Sequence, residues 1–288
     1  MRGPREKTNY IVGFCLLIVF LSTSTIMQAQ SAASGHQFLV FDGTMFTEKP
    51  DLAQYGIRPI SVMYEGSMWA SPQPSDKTSL PDQKLINTLA QKALQTTGIA
   101  VIDIERWPLT GDPALVAGSV SKYQTVLQWF KTDQPGLKVG YYGVAPTQNY
   151  WAAIQETTSS RYTAWQKTND TVTPSIQYGD ILFPSAYTFY EDRDGWVKYA
   201  VAQIREARRL AKGKPVYVFL WPEYHVSNKL LGNTFLPGDY WRTELETARK
   251  YADGAVIWCC PNKQVWNNSA SWWLETQKFM KETGSSTK

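Results

Sequence analysis

The chain has 288 residues, 43% of them hydrophobic and 19% charged, with a formal charge of +4. That is enough for one large domain with its own core, and the basic excess is too mild to argue for nucleic acid. Aromatics reach 14%, with 12 Trp and 16 Tyr; such rings fill cores, and in a cleft they also stack on sugar faces.

Residues 1–29 have the three parts of a secretory signal peptide. Arg2, Arg5 and Lys7 form a basic start, Tyr10 to Leu21 an apolar centre, and small residues allow cleavage after Ala29 or Ala33. Twelve apolar residues are too few to cross a bilayer comfortably. The expected mature protein is secreted or periplasmic, begins near Gln30 or Ser34, and keeps no stable membrane association. Removing the leader takes away three basic residues and Glu6, leaving a formal charge of +2.

From residue 30 onward strand and helix patterns alternate. Apolar, β-rich runs fall at 38–42, 59–64, 99–105, 137–142, 180–186, 215–221 and 254–259. Helical spacing marks 83–95, 114–130, 147–166, 194–211, 239–252 and 270–283. Strands alternating with helices predict a parallel sheet, closed most economically as an α/β barrel of the TIM type. Nothing linker-like divides residues 30–282, so a single domain is expected there, followed by a loose tail at 283–288.

The stretch Val101–Pro108 carries the chemistry. Its β-branched start reads as a buried parallel strand, and Asp103 and Glu105, two apart, share one face while Ile104 points oppositely. Pro108 cannot continue a central strand, so the acids stand at its C-terminal end, where α/β barrels keep their sites. Two carboxyls in one partly desolvated place cannot both ionise freely, so one pKa should rise, as a general acid needs. The alternative is a strand end whose acids pair with Arg106 or cap a turn. Other strand ends would bring Asp42, Tyr64 with Glu65, Tyr141 with Tyr142, Tyr187, Trp221 with Tyr224, and Trp258 to the same mouth. This ring suits glycosidic bond cleavage. Acids on one side of the sugar suggest a substrate-assisted route: Glu105 protonates the leaving oxygen, and Asp103 orients the 2-acetamido group that attacks the anomeric carbon.

Other chemistries find little support. Two histidines, His36 and His225, are too few for a histidine-rich metal site, no Gly-x-Ser-x-Gly elbow is present, and no metal or cofactor is expected. Cys259 and Cys260 are adjacent, which rules out a long-range disulfide framework; two buried thiols at a strand end are expected ahead of the alternative, a vicinal disulfide between them. Asn169 and Asn267 head glycosylation sequons.

These stretches resemble the hyaluronidase family of glycoside hydrolases, family fifty-six, the venom and sperm-type enzymes. Val-Ile-Asp-Ile-Glu-Arg-Trp-Pro-Leu (101–109) is similar to the family's catalytic segment, with Ile104 where the family has Trp. Gly-Tyr-Tyr-Gly-Val-Ala-Pro-Thr-Gln-Asn-Tyr (140–150), Leu-Phe-Pro-Ser-Ala-Tyr (182–187), Pro-Val-Tyr-Val-Phe (215–219) and Gly-Ala-Val-Ile-Trp (254–258) follow in the family's order. The likeness extends over roughly 38–275, without the family's disulfides or its small C-terminal module. It implies a (β/α)7-type barrel and a retaining, acetamido-assisted endo-glycosidase acting on N-acetylated polysaccharide. It places the acid role on Glu105 and acetamido positioning on Asp103 and Tyr224, with Tyr187, Trp258, Tyr142 and Trp221 around the sugar. Two other readings compete: a catalytically silent sugar-binding barrel, against which both acids stand intact, and a chitinase-like acetamido-assisted hydrolase, whose acid run would fall on Ala100 and Val101.

Overall fold

The computed structural model describes Gly3 and residues 37–70, 78–260 and 264–284. The expected leader (apart from Gly3) and the last residues of the expected tail lie outside them. Contacts divide the chain into Met1–Gly35 and His36–Lys288, and every element below belongs to the second unit.

Strands and helices alternate, beginning with β1 (Leu39–Thr44), β2 (Arg58–Pro59), β3 (Ser61–Tyr64), α1 (Gln83–Thr96), β4 (Ile99–Asp103) and α2 (Pro113–Asp133). Next come β5 (Lys138–Tyr141), a single turn α3 (Tyr150–Ala153), α4 (Ser160–Val172), α5 (Arg193–Ala211) and β6 (Tyr217–Leu220). The chain closes with α6 (Gly238–Tyr251), β7 (Gly254–Cys259) and α7 (Ser271–Glu282). Local chemistry sets the helix starts. Asp82 accepts from the Lys84 and Leu85 amides to cap α1, and Asp112, followed by Pro113 in the first turn, caps α2 in the same way. The single helix expected over 147–166 is two: Asn149 caps α3, and Ser159 caps α4 afresh by accepting from the Tyr162 amide.

Among the described residues all ladders are parallel, but they form two sheets, in the orders β2-β1-β7-β6 and β3-β4-β5, and no regular ladder joins these into the closed barrel that was expected. Proline explains both gaps, since it has no N–H for a ladder. The run at 58–64 contains Pro59 and splits, β2 pairing with β1 and β3 with β4. The run at 180–186 contains Pro184 and makes only single bridges: Phe183 to Tyr142, Leu182 to Val216 and Ser185 to Phe219. These touch β5 on one side and β6 on the other. The backbones are close here: a Cβ on Gly140 would stand 2.0 Å from the Ile181 carbonyl oxygen, so only glycine fits.

Side-chain alternation sorts the core into two layers. Phe41, Val101, Phe183, Phe219 and Val256 pack together inside the strands. Val40, Ile102, Ile104, Val218 and Ile257 face the other way, onto the helices. The 3.6-residue stripe of α2 supplies Val116, Val120, Tyr123, Leu127 and Phe130 to that outer layer.

Candidate active site

Asp103 is the last residue of β4 and Glu105 lies two positions beyond it. Their face is the one that Val101 begins, because Val101 belongs to the inner layer and Ile102 and Ile104 to the outer. Asp103 is half-buried and Glu105 exposed. Burial, and then the charges of Glu105 and Glu65, push the Asp103 carboxyl up to about 7. Burial and the Glu65 charge also raise Glu105. The more strongly perturbed acid is therefore Asp103, the deeper of the two. This is the behaviour of two carboxyls that hold one proton between them up to neutral pH.

Glu65 is a third carboxylate at this point. It directly follows β3, whose Tyr64 sits beside Asp103 in the ladder. It accepts the Glu105 amide at 3.2 Å and faces Arg106 at 3.5 Å. The Arg106 guanidinium lies 3.9 Å over the Trp69 ring, so it is held against Glu65 and away from the dyad. Arg106 pairs with Glu65 and not with the dyad, as the strand-end alternative would have had it, and Asp103 and Glu105 are without an ion pair among the described residues.

The wall opposite is aromatic. Trp258 on β7 donates its indole N–H to the Tyr64 hydroxyl at 2.9 Å, which fixes the ring beside Asp103. Tyr187 stacks on Trp258 at 5.7 Å, and Trp221 meets both edge-on at 5.3 and 4.8 Å. Tyr142 packs on Tyr187 at 5.7 Å and shares a hydroxyl contact with Ser185 at 3.2 Å. Of the four expected sugar-site rings, Tyr142, Tyr187 and Trp221 are buried and form the floor, and Trp258 alone is half-exposed. The Trp221 N–H is taken by the buried carboxylate of Glu223 at 2.9 Å.

Tyr224 is not brought to this group. Its ring sits in the outer layer against Tyr240, 6.4 Å away, and the charges that bear on it belong to Glu191, Arg193, Glu244 and Asp239. The physical cause is strand parity: Trp221 and Glu223 face inward, so Tyr224 faces the helices. Asp42 is also absent from the mouth, since it faces outward and binds Lys49 at 2.5 Å. Cys259 and Cys260 form a buried disulfide between neighbours, which replaces the expected pair of thiols; adjacency at the end of β7 brings the two sulfurs together. Asn169 is fully buried and bonded to Thr147 and Glu206, so the folded chain offers only Asn267 of the two sequons as an exposed asparagine.

Sequence reasoning missed His225 and Gln148. His225 lies 6.2 Å from Tyr187 and 5.7 Å from Trp221, and burial lowers its pKa. Gln148 donates toward the Tyr142 hydroxyl at 3.4 Å. His225 stands on a loop, where periodicity carries no signal, and Gln148 precedes α3, in a stretch whose spacing pointed to a helix and not to a site. A recess of about 340 Å³ opens beside Glu105, between Trp107, Leu109 and Tyr123 on one side and Tyr142, Val144 and Gln148 on the other.

No family model matches the sequence, and neither does any curated protein. Among solved structures, bee venom hyaluronidase is similar with a TM-score of 0.57 and 16% identity, over 86% of this chain and 97% of that one. Bee venom hyaluronidase in complex with a hyaluronic acid tetramer gives 0.57 and 15%, over 86% and 96%. A Cellulomonas fimi endo-beta-1,4-mannanase double mutant gives 0.52 and 12%, over 82% and 58%. The chain thus shares an α/β fold with bee venom hyaluronidase and the mannanase.

Proposed function

We propose that this chain is an exported glycoside hydrolase that cleaves N-acetylhexosamine-containing polysaccharide with retention, using the substrate's own 2-acetamido group as nucleophile. The observation that carries this reading is the Asp103–Glu105 dyad, two acids on one face with the deeper carboxyl raised to about 7, set against the Trp258–Tyr187 wall. The two sheets support a (β/α)7-type barrel, because the 58–64 segment supplies a strand to each and the 182–185 segment bridges β5 and β6.

Glu105, at the open mouth, gives its proton to the glycosidic oxygen as the bond from that oxygen to the anomeric carbon breaks. The acetamido carbonyl oxygen closes onto the same carbon. Asp103 accepts the acetamido N–H and balances the positive charge of the oxazolinium-like ion. Glu105, now a base, takes a proton from the water that opens this ion, and the original anomeric configuration returns. Two acids on the same side cannot flank the sugar as the paired carboxylates of ordinary retaining or inverting enzymes do, which supports the acetamido route. Tyr224 has no part in these steps.

The test is product analysis on a panel of N-acetylated polysaccharides, each beside its de-N-acetylated form. The N-acetylated form of at least one polymer should be cut and its partner should be nearly inert. Glu105→Gln should lower turnover by at least about 10²–10⁴-fold while sugar binding persists. Brisk hydrolysis of a de-N-acetylated polymer, or a covalent glycosyl adduct on Asp103, would overturn the mechanism. Release of no sugar from any member of the panel would overturn the enzymatic reading.

A further inference from the structure

A second recess, of about 400 Å³, lies beyond the one at Glu105, and the two share Thr110, Thr147 and Gln148 as a common rim. Its far side holds Trp151 and Arg161. Trp151 is 57% exposed although it is a large ring, and it is fixed from behind by Tyr150 and Tyr190, at 5.2 and 5.5 Å. An exposed indole held in place by other rings has a face free for a sugar to stack on.

Among the described residues, Arg161 is the only charged one lining this recess. It is exposed, and among the described residues it has no ion pair, hydrogen bond or ring beneath it. The other arginines of α4 and α5 have partners: Arg193 pairs with Asp239, Arg205 lies over the Tyr251 ring, Arg208 pairs with Asp253, and Arg209 with Glu206 and Asp170. A free guanidinium in a cleft offers a planar fork that fits a carboxylate or a sulfate.

The floor is rigid. Thr147 donates both its N–H and its hydroxyl to Asn169 at 2.9 Å, and its carbonyl accepts the Trp165 indole. Asn169 in turn donates to Glu206 at 3.1 Å, and Glu206 is held by Arg209 and Gln166. This buried network keeps the rim shared with the Glu105 recess in one place before any ligand arrives, so ordering costs on binding are small.

From these observations we infer that the Trp151–Arg161 recess is a remote subsite of the same glycan groove, stacking one sugar on Trp151 and binding that unit's anionic group at Arg161. The inference rests on the glycosidase reading and names the charge that the groove selects several units away from the bond cut. Neutral N-acetylated chains use the platform alone; chains bearing a uronate carboxylate or a sulfate use both groups.

Calorimetric binding to the Glu105→Gln protein separates this subsite from catalysis. The probes are octasaccharides of equal length: hyaluronan (carboxylate), keratan sulfate (sulfate) and carboxyl-reduced hyaluronan (neutral). Adding Arg161→Ala should weaken at least one anionic probe about tenfold and the neutral probe less than twofold, and the anion affected tells carboxylate from sulfate. Adding Trp151→Ala should weaken all three. In the wild-type background, Arg161→Ala should raise KM on the affected polymer and leave kcat and cleavage of short oligosaccharides unchanged. Equal weakening of all three probes by Arg161→Ala, or of none, would overturn the subsite. That result is independent of turnover, so a wild-type protein that binds through Arg161 and cuts nothing would refute the glycosidase reading alone.

Discussion

Asp103 and Glu105 are chemically similar acids in different surroundings, and the difference assigns their work. Burial pushes Asp103 up to about 7 and raises Glu105 as well, so at mildly acidic pH the pair shares one proton. The exposed Glu105 is the member that can present it to a leaving oxygen while Asp103 carries the charge. Activity should therefore hold at mildly acidic pH and decline above about 7, as the pair loses its shared proton. The same shift has a sign for stability. Asp103 is protonated in both folded and unfolded chains below about 4, its ordinary range, and charged in both above about 7. The penalty of burying the charge thus sets in between these values and is complete at pH 8. Asp103→Asn removes it, so thermal unfolding should move up by several degrees at pH 8 and hardly at all near pH 4, while turnover collapses. Calorimetry at the two pH values checks the first effect, and an equal shift at both would contradict it. Tyr224 supplies the contrast: since its ring lies on the helix side, Tyr224→Phe should keep kcat within about twofold, and a loss of a hundredfold would return it to the site.

At the scale of elements, the strands are short and their ends are functional. β4 stops at Asp103, so the acid pair straddles the last ladder position, where one group is desolvated and the next reaches solvent. The weakest seam is the single-bridge contact of 181–185 with β5 and β6, and Gly140 is its tightest point. Gly140→Ala would drive a methyl group against the Ile181 carbonyl, which backbone cannot yield without opening the seam. A loss of about 3 kcal/mol or more is expected in denaturant unfolding. An alanine variant as stable as the parent would mean that β5 and the 181–185 segment do not pack this closely.

At the scale of the whole molecule, the first 29 residues lead us to expect export. Secreted material should begin near Gln30 or Ser34, and N-terminal sequencing that still reads Met1 would remove the leader from the proposal. The fold agrees with that of bee venom hyaluronidase at 16% identity, so few side chains are common to both while the order of strands and helices is kept. Such a frame constrains where strand ends point and leaves loops free, and Trp151, Arg161 and His225 all stand outside the strands.

The sequence by itself determined the alternation of strands and helices and the placing of Asp103 and Glu105 together at a strand end. Both depend on neighbours within a few residues, through the two-residue period of a strand, the turn of a helix and the missing N–H of proline. Only the tertiary structure decided that Glu65 takes Arg106 away from the dyad, that Tyr64 anchors Trp258 across 194 residues of sequence, and that Tyr224 faces the helices. It also decided that Pro59 and Pro184 leave two sheets where a continuous ladder was expected, and that the two cysteines pair with each other. Each of these depends on which segments lie side by side, and local pattern holds no record of distance between residues far apart in the chain.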